Sequence, residues 1–202
     1  MNKYRLNFLA YSIIALFIFS VANAQNKFML VPENSTLKIT GTSTIHDWEM
    51  EAIDLTCKVI AQADSNNIEY IRQIDFTCPV DQITSDKRLM ENKAHDALKE
   101  NHYPEITFKS GKAQNIKISE NKAKISGLLS IAGETREISF TSDLNPQTKG
   151  RFTASGNVSL KMTNFNIDPP TVFLGTLKTG DKVNIEFNFE FLSNPDEVTN
   201  NK

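Results

Sequence analysis

Val183-Asn184-Ile185-Glu186-Phe187-Asn188-Phe189-Glu190-Phe191 alternates apolar and polar residues without a break. A period of two puts every apolar side chain of this run on one face of a strand, whereas a helix would scatter the phenylalanines around its cylinder. The same alternation recurs upstream. Ile53, Leu55, Cys57 and Val59 form one stripe, and Ile74, Phe76, Cys78 and Val80 another. Ile138, Phe140 and Leu144 mark a further strand, and Val158, Leu160 and Met162 the next. After Met162 the apolar phase shifts to Phe165 and Ile167, which predicts a bulge or bend of the kind that curves a barrel strand.

Turn residues separate these runs. Ala63-Asp64-Ser65-Asn66-Asn67, Ser119-Glu120-Asn121, Ala132-Gly133-Glu134, Asn145-Pro146 and Lys149-Gly150 each fall between two stripes. Short polar turns between consecutive strands predict antiparallel hairpins in a meander. One segment breaks the pattern. Between Ser85 and Asn101, Leu89, Met90, Ala94, Ala97 and Leu98 stand at helical spacing. Ser85 or Asp86 is placed to cap that helix, and Asn101 with Pro104 to end it. Its apolar face reads as packing against the sheet. About eight strands and one helix fit either a closed barrel or a two-sheet sandwich. Long strands, sequential hairpins and the lack of a tryptophan–cysteine immunoglobulin pattern favour the all-β, antiparallel barrel.

The chain has 202 residues, a formal net charge of −2 and two cysteines. Its first 24 residues read as a signal peptide: Lys3 and Arg5, an apolar run from Phe8 to Val21, then Ala22-Asn23-Ala24, a small-x-small cleavage pattern. Cleavage leaves one domain over residues 25–192 and a polar tail, 193–202, with no apolar stripe to offset ordering entropy. This predicts a periplasmic or secreted molecule with no stable membrane insertion after cleavage. Loss of Lys3 and Arg5 makes the remainder more acidic, and no basic block stands in it to attract nucleic acid. Cys57 and Cys78 lie on neighbouring stripes across one short turn. Export permits a disulfide between them, and two buried free thiols fit the pattern equally well.

Nothing in the sequence announces catalysis. It holds no Gly-x-Ser-x-Gly elbow, no phosphate-binding glycine loop and no His-Glu-x-x-His helix. His46-Asp47 imitates a base with its orienting carboxylate, but no motif supplies a nucleophile. His95 and His102 are seven apart and would share a helical face, yet a metal site needs a third ligand. Asn34-Ser35-Thr36 and Asn157-Val158-Ser159 match the short glycosylation pattern. The expectation is therefore no enzyme, no metal and no resident cofactor. Trp48, the lone tryptophan, suits either a core position at one barrel end or an aromatic at the mouth of a cavity. Phe76, Phe108, Phe140, Phe187 and Phe189, with Leu160, Met162 and Ile185, line an interior that is either solid core or an apolar pocket. Thr171, Val172, Phe173 and Leu174 follow Asp168-Pro169-Pro170 and precede Lys178. They read as an apolar lip with one cation, suited to an acidic amphiphile, or as a plug of the barrel end.

Three stretches together resemble the YceI-like family of polyisoprenoid-binding, lipocalin-like periplasmic proteins. They are Gly41-Thr42-Ser43-Thr44-Ile45-His46-Asp47-Trp48; Ala97-Leu98-Lys99 with Tyr103-Pro104-Glu105-Ile106-Thr107-Phe108-Lys109-Ser110; and Met162 to Pro170 followed by Gly175-Thr176-Leu177-Lys178-Thr179-Gly180-Asp181-Lys182-Val183. Gly127 to Arg136 also resembles the family's central hairpin. The resemblance implies an eight-stranded lipocalin-like barrel. It also implies an interior tunnel for the isoprenoid tail of a quinone or polyprenyl phosphate, and binding rather than catalysis. The helix region departs from the commonest form. Asp86-Lys87-Arg88-Leu89-Met90 and Ala94-His95-Asp96-Ala97-Leu98 stand where many members carry Arg-Asp-x-His-Leu and a Phe-Phe pair. Binding an isoprenoid-like lipid is the leading expectation, and a filled structural or stress-response barrel the alternative.

Overall fold

The computed structural model describes residues 25–63, 68–111, 115–147, 150–172 and 176–193. Residues 1–24, expected to be a signal peptide, the turn residues 64–67 and 149, the expected lip residues Phe173 and Leu174, and the expected tail from 194 onward lie outside the described residues. In chain order the elements are β1 (Gln25–Leu30), β2 (Thr36–Ser43), β3 (Trp48–Ala52), β4 (Thr56–Ala63), β5 (Ile68–Pro79), β6 (Ile83–Thr84), α1 (Arg88–Leu98), β7 (Glu105–Ser110), β8 (Ile116–Ser119), β9 (Lys122–Ile131), β10 (Glu134–Pro146), β11 (Arg151–Lys161), β12 (Thr171–Val172) and β13 (Leu177–Ser193).

The hydrogen-bonded ring runs β1-β4-β5-β7-β9-β10-β11-β13, and β13 returns to β1, so the sheet is a closed eight-stranded antiparallel barrel. More strand segments than eight occur because four walls are interrupted. β1 and β2 together form one wall: β13 pairs with β1 through Phe191–Ser193 and with β2 through Thr179–Asn188. β3 and β4 form the next wall, β5 and β6 the third, and β7 and β8 the fourth. The breaks have local causes. Pro32 opens a 3-10 turn, and the wall is stitched across it by Val31 N–H donating to Glu190 O (2.8 Å) and Glu190 N–H donating to Ser35 Oγ (3.0 Å). Asp54 adopts a left-handed φ of 52° between β3 and β4. Pro79 leads β5 into the 3-10 turn Val80–Gln82.

These breaks correct several expectations. Ile53 has the spacing of the stripe formed by Leu55, Cys57 and Val59, but it sits in the break and is 51% exposed while the other three are buried. The phase shift after Met162 is not a bulge. β11 ends at Lys161, and a 3-10 turn, Met162–Phe165, closed by left-handed Asn166 folds Phe165 and Ile167 inward. Thr163 holds that turn by donating from N–H and Oγ1 to the Asp181 carboxylate, both at 2.9 Å. The helix is shorter than expected: it starts at Arg88 and stops at Leu98, where Lys99 takes the left-handed conformation. Ser85 acts upstream of the first turn instead of capping it. Its Oγ accepts from Lys87 N–H, and its own N–H donates to Glu91 Oε2, each at 3.1 Å. The hairpins at Glu120-Asn121 and Ala132-Gly133 fall as expected, each with two consecutive positive φ values, as two-residue turns between twisted strands require.

Gly41 shows how close the packing is at the β2–β3 end. A Cβ there would lie 2.3 Å from Trp48 Cζ2, because the indole lies flat across the glycine while its Nε1 donates to Thr42 O at 3.0 Å. Gly41→Ala should therefore displace the ring. The expected outcome is a loss of about 1–3 kcal/mol in denaturant unfolding together with a shifted emission of the single tryptophan. Unchanged stability and emission would contradict this placement of the indole.

Candidate functional site

The barrel holds two adjoining chambers that share part of their lining. The deeper holds about 190 Å³, and Ser142 supplies its only polar side chain among the described residues. That hydroxyl is fully buried and donates to Ser155 O at 3.1 Å, so it has no free donor for an entering ligand. The upper chamber holds about 510 Å³ and lies between the barrel rim and α1. Ile39, Ile83, Ile106, Ile131, Leu160 and Ile185 line both, forming a collar between them.

Aromatic rings close the deep end. Phe152 stacks on Phe191 with centroids 4.7 Å apart, and Phe28 meets Phe152 edge-on at 5.1 Å. Higher in the chamber, Phe140 contacts Phe108 at 5.6 Å and Phe187 at 5.9 Å, and Phe189 contacts Phe76 at 6.0 Å. β-Strand alternation explains the lining: Phe187, Phe189 and Phe191 share one face of β13, and Phe140, Ser142 and Leu144 share one face of β10.

The open end has a different chemistry. The apolar side of α1, with Met90, Ala94, Ala97 and Leu98, roofs part of the upper chamber. Leu89, expected on that side, is 60% exposed at the rim. His46, Lys87, Lys93, Lys161 and Lys178 all reach the lining, and no carboxylate does among the described residues.

The residues expected to line a ligand site are brought together with one gap. Phe76, Phe108, Phe140, Phe187 and Phe189 surround the deep chamber, Leu160 and Ile185 belong to the collar, and Trp48 and Met162 line the upper chamber. Phe173 and Leu174 lie outside the described residues. The helix, read as packing alone, proves to line the upper chamber. Nothing in the sequence marks Lys87, Lys93 and Lys161, since a single lysine carries no periodic signal that would bring it to a cavity.

The histidines do not assemble a reaction centre. His46 is exposed, and its Nδ1 lies 2.9 Å from the carbonyl of Asp47, not from the carboxylate. His95 reaches Ile83 O through Nε2 at 2.8 Å and Glu100 through Nδ1 at 3.3 Å. His102 lies beyond the end of α1, so it shares no helical face with His95. No group of three metal-binding side chains occurs among the described residues.

With the geometry in view, comparison with known proteins identifies the lineage. The YceI-like domain family matches residues 24–191, and the chain belongs to that family. Among solved structures, Burkholderia cenocepacia BcnA superposes with a TM-score of 0.66 at 18% identity, covering 80% of this chain and 98% of its own. A polyisoprenoid binding domain from Saccharophagus degradans, implicated in plant cell wall breakdown, gives 0.65 at 10% identity, covering 83% and 98%. The Campylobacter jejuni YCEI protein gives 0.52 at 21% identity, covering 68% and 81%. No curated protein matches the chain.

Cys57 and Cys78 both face the deep chamber as buried free thiols. The strand register explains why they are not joined: Cys57 pairs with Phe76, so Cys78 stands diagonally across the hairpin instead of opposite. Burial pushes both thiols up to about 12, with Asp75 adding to the effect at Cys57 and Asp81 at Cys78. A thiol whose folded pKa is raised lends stability below its unfolded value of 9.0 and loses it as pH climbs toward about 12. Unfolding should therefore become easier above pH 9, and less steeply so in a Cys57→Ala/Cys78→Ala variant. Thiol labelling without reductant should give none in the native protein and both in denaturant. Two labels on the native protein would contradict the burial, and none in denaturant would reveal a bond.

Proposed function

We propose that the protein binds an isoprenoid-like amphiphilic lipid, which enters tail-first at the α1 end and passes the isoleucine collar toward the phenylalanine floor. The shared lining of the chambers carries this reading: the walls are apolar from collar to floor, and the polar groups gather at the open end. Removing a tail from water gains roughly 0.8 kcal/mol per methylene, less the cost of ordering it. Phe76, Phe108, Phe140, Phe187 and Phe189 surround the tail, Leu160 and Ile185 grip it at the collar, and Trp48 and Met162 border the head. Phe173 and Leu174 belong to the lip by their position in the sequence. Family membership and the likeness to a polyisoprenoid binding domain support the isoprenoid class.

The action is binding or carriage, not covalent chemistry, and a quinone would be cargo, not a resident cofactor. The leader-like residues Met1 to Ala24 support a periplasmic or secreted place of work. A filled structural barrel is the weaker reading, because an upper chamber of about 510 Å³ is far from filled.

Protein purified without detergent and extracted into organic solvent should release a prenyl-chain lipid, identified by mass spectrometry. Val158 lines the deep chamber. Val158→Trp should fill that space and remove most of the lipid, with the unfolding temperature held or raised. A folded wild type that yields no lipid, or full occupancy in the filled variant, would contradict the reading.

A further inference from the structure

The mouth carries a charge pattern that tail binding does not require. Lys87 precedes α1, Lys93 lies on it, Lys161 ends β11 and Lys178 lies on β13, so different parts of the fold bring four lysines to the lining of one chamber. No aspartate or glutamate among the described residues shares that lining. The chain as a whole is acidic at −2, so this grouping runs against the bulk charge.

These lysines are also poorly neutralised. Lys87 and Lys178 are exposed and enter none of the ion pairs among the described residues. Lys93 has only a 3.9 Å approach to exposed Asp96. Asp181, whose charge acts on Lys161, already accepts two hydrogen bonds from Thr163. Elsewhere on the barrel, Lys38 pairs with Glu49 at 2.8 Å, Lys122 with Asp143 and Arg151 with Glu190. Apolar walls around the mouth weaken dielectric screening, so an anion arriving there is attracted more strongly than on an open surface. A lysine acts on such an anion as a mobile point charge, without demanding one fixed geometry.

We propose that this ring of lysines selects an amphiphile with an acidic headgroup, a phosphate or a carboxylate, over a neutral one with the same tail. The proposal rests on the reading of the tunnel as a lipid site. Its test uses matched probes: geranylgeranyl monophosphate, geranylgeranoic acid and geranylgeraniol, titrated against the emission of Trp48 at low and high salt. Both acids should bind about tenfold tighter than the alcohol, or more, at low salt. That advantage should shrink as salt is added. Lys87→Gln/Lys178→Gln should bring the acids down to the affinity of the alcohol. Lys124→Gln, on the exposed outer face of β9, should keep the difference.

Equal affinity of acids and alcohol in the wild type would overturn the proposal, as would an advantage that survives the double substitution. Inorganic phosphate binding as tightly as the prenyl phosphate would overturn it too, since the site would then be an anion site indifferent to the tail. If only one acid gains, that headgroup is the one selected and the proposal stands for it. If none of the three prenyl probes binds, the lipid reading itself fails. A failure confined to headgroup preference leaves that reading intact.

Discussion

Because β13 hydrogen-bonds to β11 along one edge and to β2 and then β1 along the other, no edge of the ring is left unpaired. Closure is what makes the interior a separate medium. An open sheet would let water reach the apolar face, and the row of Phe187, Phe189 and Phe191 would then be an exposed liability. The second edge of β13 has to bridge the break in the first wall, and it does so at Glu190. Its backbone takes Val31 N–H and gives to Ser35 Oγ, while its carboxylate holds Arg151 of β11 and Asn34 of the turn. One residue thus ties three stretches of chain where the ladder is interrupted.

The two ends of the tunnel differ because the chain treats them differently. At the deep end, uninterrupted pairing of β10, β11 and β13 brings bulky aromatic residues together, and rings fill the narrowing space. At the other end the ring is capped by irregular structure: the β2–β3 loop, α1 and the 3-10 turn after β11. Irregular segments cover a rim without filling it, and the larger chamber is the space they leave. Polar side chains can stand at that rim because they reach water, whereas a charge at the phenylalanine floor would have none. A closed apolar end and a wet, charged mouth together are the physical description of a site for an amphiphile.

The alternation of β13 was readable because its polar partners, Asn184, Glu186, Asn188 and Glu190, left only one buried face. The barrel followed from many such runs joined by short turns. The strand breaks were not readable. Ile53 has the right type and spacing for its stripe, and only the left-handed Asp54 beyond it removes it from the sheet. Phe165 and Ile167 looked like a strand out of phase, because an inward-folding turn and a bulge bury the same residue types. The tunnel lining was identifiable by residue, but alternation is indifferent to whether facing side chains meet. Open space depends on the distance between walls, which no single strand encodes. Lys178 is legible beside the lip, but its companions are not, for a related reason: Lys87, Lys93 and Lys161 belong to different elements and share only a place in the folded barrel.

The shared lining implies that the two chambers form one apolar passage with a single wet end. A crystal structure of the protein as purified, without added lipid or detergent, tests it most directly. The expected result is one unbranched run of density from the rim beneath α1, through the ring of Ile39, Ile83, Ile106, Ile131, Leu160 and Ile185, into the space above Phe152 and Phe191. Closure of that ring by side chains in contact, with discrete water peaks filling the upper chamber, would contradict it.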